Sequence, residues 1–172
     1  VVKHDELFIP PMLAVGAVHH YLIKNGNRTQ VSLVVNTGQC WSTHHFACLI
    51  GYGASAICPH VALAHIRRWH DSKKGATRSD GQTVEQCQQN FKSAILGGIR
   101  KIMSKMGISV LECYRGAQIF QCLGLSDDVV SRAFDGTPSV VQGMTLQEIA
   151  NESMLFHKRA FPEIEPTKLE TQ

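Results

Sequence analysis

Between positions 84 and 106 the apolar residues fall three and four apart, at Val84, Cys87, Phe91, Ala94, Ile95, Gly98, Ile99, Ile102, Met103 and Met106. That spacing puts one apolar face on a long helix. Thr83 and Gln86, three residues apart, form a capping box at its start. Gly107 closes it, because glycine takes the left-handed conformation that a helix end favours. The β-prone run Ile108, Val110 and Leu111 then predicts a buried strand, and a further helix opens after it. Upstream, Pro10 and Pro11 start a helix whose face carries Met12, Val15, Gly16, His19, Leu22 and Ile23, with a stop at Gly26. Residues 31–35 read as a short strand running into Asn36, Thr37 and Gly38. Ser42 caps a helix holding Phe46, Leu49 and Ile50, broken at Gly51 and Gly53; residues 54–58 are a very short strand, and Pro59 restarts a helix. Residues 71–82 are polar, glycine-containing and aperiodic, which predicts an exposed loop and the best place for mobility.

Downstream, Ser126 with Asp127 and Asp128 begins a helix whose carboxylates suit the N-terminal dipole. Pro138 cannot donate to a sheet, so a short strand is expected after it, at 139–142. Thr145 and Glu148 make a second capping box, for a helix with Leu146, Ile149, Ala150, Ser153 and Met154 on one face and an end near Pro162. About five strands alternate with helices, each strand uniformly apolar. The expected fold class is therefore α/β, with mostly parallel strands alternating with helices in a partial (β/α) barrel-like arrangement. Eight units are needed to close such a barrel, so the chain cannot close one alone. Exposed strand edges should make the isolated chain self-associate or pack loosely.

Composition narrows the class. The chain has 172 residues, 44% hydrophobic and 18% charged, enough for one domain with a core. A net charge of +3, with basic residues scattered, indicates no nucleic-acid surface. No apolar run is long enough to span a membrane. The opening residues VVKHDELFIPP lack the basic end and apolar middle of a signal peptide, and the chain is expected to start abruptly. The closing EIEPTKLETQ is polar enough to be disordered. Six cysteines, without CxxC spacing, are expected to be reduced and buried.

Three constellations carry possible chemistry. Cys40, His44, His45 and Cys48 form C-x3-H-H-x2-C, with His44 and Cys48 on one helix face as zinc ligands could be; helix-start histidines and a buried cysteine explain the pattern equally well. Cys113 lies beside Arg115, whose charge would lower a thiol pKa, but no histidine is near in sequence and the thiol is expected to point into the core. Tyr114, Arg115, Gly116 and Gln118 sit where the strand is expected to give way to a helix, the edge at which α/β proteins place ligands. Free helix-start amides with a guanidinium could contact a phosphate or carboxylate there, while an internal salt bridge or a loop-fixing arginine is the plainer reading. The pairs His19/His20 and His60/His65 have no carboxylate or serine at a telling spacing and read as ordinary helix histidines. No catalytic, cofactor-binding or metal residue is assigned.

The blocks NTGQCWSTHHFACLIGYGASAICPHVALA, KIMSKMGIS, CYRGAQIFQCLGL and FDGTPSVVQGMTLQEIANE occur in that order. They resemble the large subunit of glutamate synthases, with QCWSTHHFACLIGYGASA closer to the ferredoxin-dependent type, and the likeness runs roughly from Pro10 to Phe161. The resemblance implies that residues 1–125 are the C-terminal part of the central domain and 126–172 a connector toward the flavin domain. It further implies a scaffold role between the ammonia-producing and flavin sites. The parent enzyme would convert glutamine and 2-oxoglutarate, with reductant, to two glutamates. By the same resemblance the full-length enzyme carries FMN and an iron-sulfur cluster, uses ferredoxin and its own remaining domains as partners, and works in the cytoplasm or plastid stroma. No cofactor is expected in this segment, and the segment alone should be inactive. The rival expectation is a stand-alone α/β module that binds a small anion at residues 114–118.

Overall fold

The computed structural model describes residues 6–162 and orders them as helices alternating with short parallel strands. Helix α1 (Pro11–Lys24) begins with proline in its first turn, as the missing N–H there costs nothing. Strand β1 (Val34–Asn36) follows a single 3-10 turn, and α2 (Thr43–Gly51) leads to β2 (Ala56–Cys58), which pairs with β1 in parallel. Helices α3 (His60–His70), α4 (Lys73–Arg78) and α5 (Val84–Lys105) come next. The four-residue α6 (Leu111–Tyr114), β3 (Cys122–Leu125), α7 (Asp127–Ala133), β4 (Ser139–Met144) and α8 (Leu146–Ala160) complete the order.

The long periodic helix forms as its spacing predicts. Thr83 N–H donates to Gln86 Oε1 at 2.7 Å and Gln86 N–H to Thr83 Oγ1 at 3.3 Å, so the predicted capping box is made in both directions. Ile95 and Ile99 reach the core, with Phe91 and Met103 packed against it, while Ala94 and Met106 remain exposed. The second box also closes, with Thr145 N–H donating to Glu148 Oε2 at 2.7 Å and Glu148 N–H to Thr145 Oγ1 at 3.3 Å. Along α8, Leu146 and Ile149 pack inward, but Met154 is exposed rather than on the inner face.

Four expectations are corrected. Residues 108–111 form no strand: 108–110 are irregular and Leu111 opens α6, because an apolar run alone does not separate strand from helix and none of the described strands pairs with it. The helix expected after Gly116 is absent; residues 117–121 are irregular and 122–125 are β3. Gly124 hides this strand in the sequence. It adopts φ +71°, and the register of β3 against β4 shifts between Leu123 and Leu125, the bulge for which a glycine in a strand is the usual device. The polar stretch 71–82 is not all loop, since Ser72 Oγ accepts Gly75 N–H at 3.1 Å and starts the six-residue α4. That helix is too short to display a period. Finally, the thiols are not uniformly buried: Cys40 and Cys122 are, Cys48 and Cys87 are intermediate, and Cys58 and Cys113 are exposed. In α6 the inward position goes to Tyr114, only 1% exposed, which turns Cys113 outward.

The described strands form two separate two-stranded parallel sheets, β1 with β2 and β3 with β4, and no continuous half-barrel sheet. One core nonetheless joins both: Val35 of β1, Leu49 of α2, Ile95 and Ile99 of α5, Cys122 of β3, and the fully buried Val129 and Ala133 of α7 belong to a single apolar cluster. The polar tail at 163–172, expected to be disordered, lies outside the described residues.

Candidate functional site

The cleft that contains sequence-predicted site residues is built from four short pieces. The second half of α1 supplies His19, His20 and Lys24; the end of α2 supplies Tyr52; the link from α6 to β3 supplies Gly116, Gln118 and Phe120; and the turn from α7 to β4 supplies Asp135 and Thr137. Its volume is about 360 Å³.

Local chemistry fixes the two histidines in different ways. Beyond the stop at Gly26 the chain doubles back, and Arg28 Nε donates to His19 Nδ1 at 2.8 Å while its terminal nitrogens donate to Val31 O at 2.9 Å and Gly53 O at 2.8 Å. With Nδ1 accepting, neutral His19 carries its proton on Nε2. Burial, then the charges of Arg28, His20 and Arg115, push its pKa down to about 4, so it is neutral at physiological pH. Gly53, at φ +108°, is required here, because a Cβ at that position would collide with the His19 ring. His20 is the mirror case. Its Nε2 lies 3.2 Å from the carbonyl oxygen of Asp135, which can only accept, so Nε2 holds the proton and Nδ1 is a bare acceptor. That Nδ1 is buried without a hydrogen-bond partner. Burial lowers the His20 pKa, partly offset by Asp135. Lys24 Nζ stands 3.6 Å from Asp135 Oδ2. On the opposite lining the Tyr52 and Thr137 hydroxyls bond at 2.7 Å, and the Tyr52 ring stacks on Phe120 at 5.5 Å.

The four sequence-predicted contacts divide. Gly116 and Gln118 line the cleft; Tyr114 and Arg115 do not. No helix starts at Gly116, so the expected free helix-start amides are absent, and its N–H donates to Gly51 O at 2.9 Å. Arg115 donates to Glu112 Oε1 at 3.1 Å while its Nε is buried without a partner. Tyr114 is buried against Phe120, edge to face at 6.5 Å, with its hydroxyl unpartnered. Gln118 sits at φ +52°, uncommon for a side-chain-bearing residue.

The cysteine and histidine cluster resolves into local roles. His45 Nδ1 accepts the N–H groups of Trp41 at 3.1 Å and Ser42 at 3.4 Å, capping α2. His44 Nε2 touches Cys48 Sγ at 3.5 Å, and Cys40 is 1% exposed in the core. Burial pushes the Cys40 thiol up to about 12 and raises that of Cys48, so neither favours the nucleophilic thiolate. Among the described residues no group of three or more His, Cys, Asp or Glu is disposed to hold a metal ion. The arrangement therefore places neutral histidines at the cleft, His19 with its proton on Nε2 and His20 with a buried, unpartnered Nδ1, rather than an assembled nucleophile and base. The adjacency of His19 and His20 was visible in the sequence; their separation into donor and acceptor depends on Arg28 and Asp135, which no local pattern ties to them.

Residues 1–126 match the family described as glutamate synthase central domain. The ferredoxin-dependent glutamate synthase of Antithamnion sp. is 54% identical over 174 residues, covering 98% of this chain and 11% of that protein. Ferredoxin-dependent glutamate synthase 2 of Synechocystis sp. is 50% identical over 169 residues, covering 95% of this chain and 11% of its own length. The chloroplastic ferredoxin-dependent glutamate synthase of Spinacia oleracea is 52% identical over 167 residues, 94% of this chain and 10% of that protein. The chain thus spans about a tenth of the length of the curated relatives it matches.

Proposed function

The chain belongs to the glutamate synthase central-domain family, and from that premise we propose that it serves as a scaffold and connector within a ferredoxin-dependent glutamate synthase. The observation that carries this reading is the 54% identity over 98% of the chain, which continues past residue 126, where the family match ends. Residues 1–125 are then the C-terminal part of the central domain and 126–172 the connector toward the flavin domain.

The geometry gives such a connector a physical basis. Helix α7, at the start of the connector, has Val129 and Ala133 fully buried in the same core as Val15 of α1 and Ile99 of α5. The strand that follows it, β4, leaves Val140 84% and Val141 54% exposed. Parallel sheets are normally covered on both faces, so such a strand is suited to continue into a larger sheet, and the β3, α7, β4, α8 alternation would be the opening of a barrel-like unit. Within the connector, α7 is locked into the central domain, while β4 presents apolar surface. In the parent enzyme, glutamine and 2-oxoglutarate with reductant yield two glutamates. In that enzyme FMN and the iron-sulfur cluster belong to other parts of the polypeptide and ferredoxin is its partner, in the plastid stroma or cytoplasm.

The test is a chimera: the Antithamnion enzyme carrying this chain in place of its own matching segment. Ferredoxin-dependent formation of glutamate from glutamine and 2-oxoglutarate is expected at a rate within about tenfold of the parent. A chimera that folds and binds flavin but forms no glutamate would overturn the reading.

A further inference from the structure

An apolar groove with a volume of about 680 Å³ runs along β1 and plays no part in the histidine-lined cleft. Its lining includes Val34, Ile9, Leu7, Val18 and Val61, which are 71, 67, 53, 46 and 39% exposed. So many aliphatic side chains left in water around one groove mark a surface that is covered in use.

The backbone of β1 says what shape of partner fits. Among the described residues β1 has β2 as its one neighbour. Ser55 N–H donates to Leu33 O at 2.8 Å and Thr37 N–H donates to Cys58 O at 3.1 Å, so residues 33, 35 and 37 turn their polar groups toward β2. By the alternation of a parallel strand, Val34 and Asn36 turn their N–H and C=O groups to the open side. The Asn36 side-chain oxygen already accepts from His60 Nδ1 at 2.7 Å, which leaves its backbone as the free polar group. Two outward-facing amides and two outward-facing carbonyls in an aliphatic groove fit an extended strand, not a helix or a small molecule.

We propose that the open edge of β1 is the seat of an extended apolar strand supplied by another part of the same long polypeptide. This rests on the reading of the chain as one section of a ferredoxin-dependent glutamate synthase. The stretch from Leu33 to Thr37 spans about 17 Å at about 3.3 Å per residue, enough for a strand of about five residues. A predominantly apolar strand fits, because a charge seated among Ile9, Val18 and Val34 would lose its water there; the ionisable residues of the lining are Glu6 and His60. Two arguments select the same polypeptide over a second copy. About nine-tenths of the length of the relatives lies outside the segment matched here, and a tethered strand competes at an effective concentration of order millimolar. A two-fold pairing of β1 with its own copy would be antiparallel, breaking the parallel order that β1 and β2 begin.

The test uses the Antithamnion chimera and hydrogen exchange read at single residues. Val35, bonded toward β2, is the internal control. The Val34 and Asn36 amides are expected to exchange at least about 100-fold more slowly than unstructured peptide, like Val35. Exchange at Val34 and Asn36 near the unstructured rate, with Val35 protected, would overturn the proposal. A photo-cross-linking p-benzoylphenylalanine in place of Leu7 identifies the source. A link to a segment elsewhere in the same polypeptide is expected, and a link between two polypeptides rejects the assignment. Glutamate formation reports on the parent reading separately: an active chimera with an open edge rejects the docked strand alone, and an inactive chimera with a closed edge rejects the parent reading alone.

Discussion

Replacing Gly16 with alanine pits two effects of opposite sign against each other within α1. Alanine in a helix interior is favoured over glycine by about 1 kcal/mol, so helix propensity alone predicts a more stable protein. The packing opposes it. A Cβ at Gly16 would run into the carbonyl oxygen of Ala133 and lie 3.3 Å from Phe134 Cε1, at the contact between α1 and α7. The Ala133 oxygen is backbone and cannot rotate away, and Ala133 is fully buried, so the helices must separate. Overpacking of this kind costs about 1 to 3 kcal/mol, and a backbone obstacle belongs at the upper end. The net expectation for Gly16→Ala is a loss of about 1 to 2 kcal/mol, with a fall in Tm of about 2 to 8 °C for a chain of this size. Gly97→Ala is the matched control: nothing lies within 4 Å of a Cβ there, so α5 takes the propensity gain without the clash and the variant should be more stable by about 0.5 to 1 kcal/mol. Urea unfolding followed by circular dichroism measures both. Gly16→Ala as stable as the unaltered chain would refute the close approach of α1 and α7 and, with it, the anchoring of α7 in the core.

Ile99→Ala should cost about 2 to 5 kcal/mol, since Ile99 is 8% exposed in the shared core; a loss under about 0.5 kcal/mol in denaturant titration would mean that α5 is peripheral. Because the folded protein favours neutral His19, with its pKa at about 4 against 6.5 unfolded, its contribution is complete above about pH 6.5 and is lost as pH falls toward 4. The bound is about 3 kcal/mol, reduced to about 1 to 2 by solvent screening of a partly exposed ring, and His19→Gln should flatten the slope of stability against pH in that window. Tyr52→Phe removes the 2.7 Å bond to Thr137 and leaves that buried hydroxyl alone, which should cost about 1 to 2 kcal/mol in the same titrations; no change would mean water replaces the bond.

Where an element is held by residues within a few positions of one another, it was legible. The period of α5, the boxes at Thr83/Gln86 and Thr145/Glu148, and the proline-led start of α1 are interactions between near neighbours, and the chain specifies them before it folds. The family was legible for a related reason: it is a matter of ordered residue blocks and requires no coordinates. Strand β3 was not, because Gly124 is a poor strand residue until β4, arriving from beyond α7, gives it a partner and a bulge to occupy. Nor was the direction of Cys113 and Tyr114, which side by side differ only in which one the core can accommodate. The cleft lies furthest from the sequence. His19 becomes a donor because Arg28 folds back across Gly26 and Gly53 makes room, and His20 becomes an acceptor because Asp135, 115 positions away, offers a carbonyl. A hydrogen bond is set by where its partner stands, and for these residues tertiary packing alone puts the partner there.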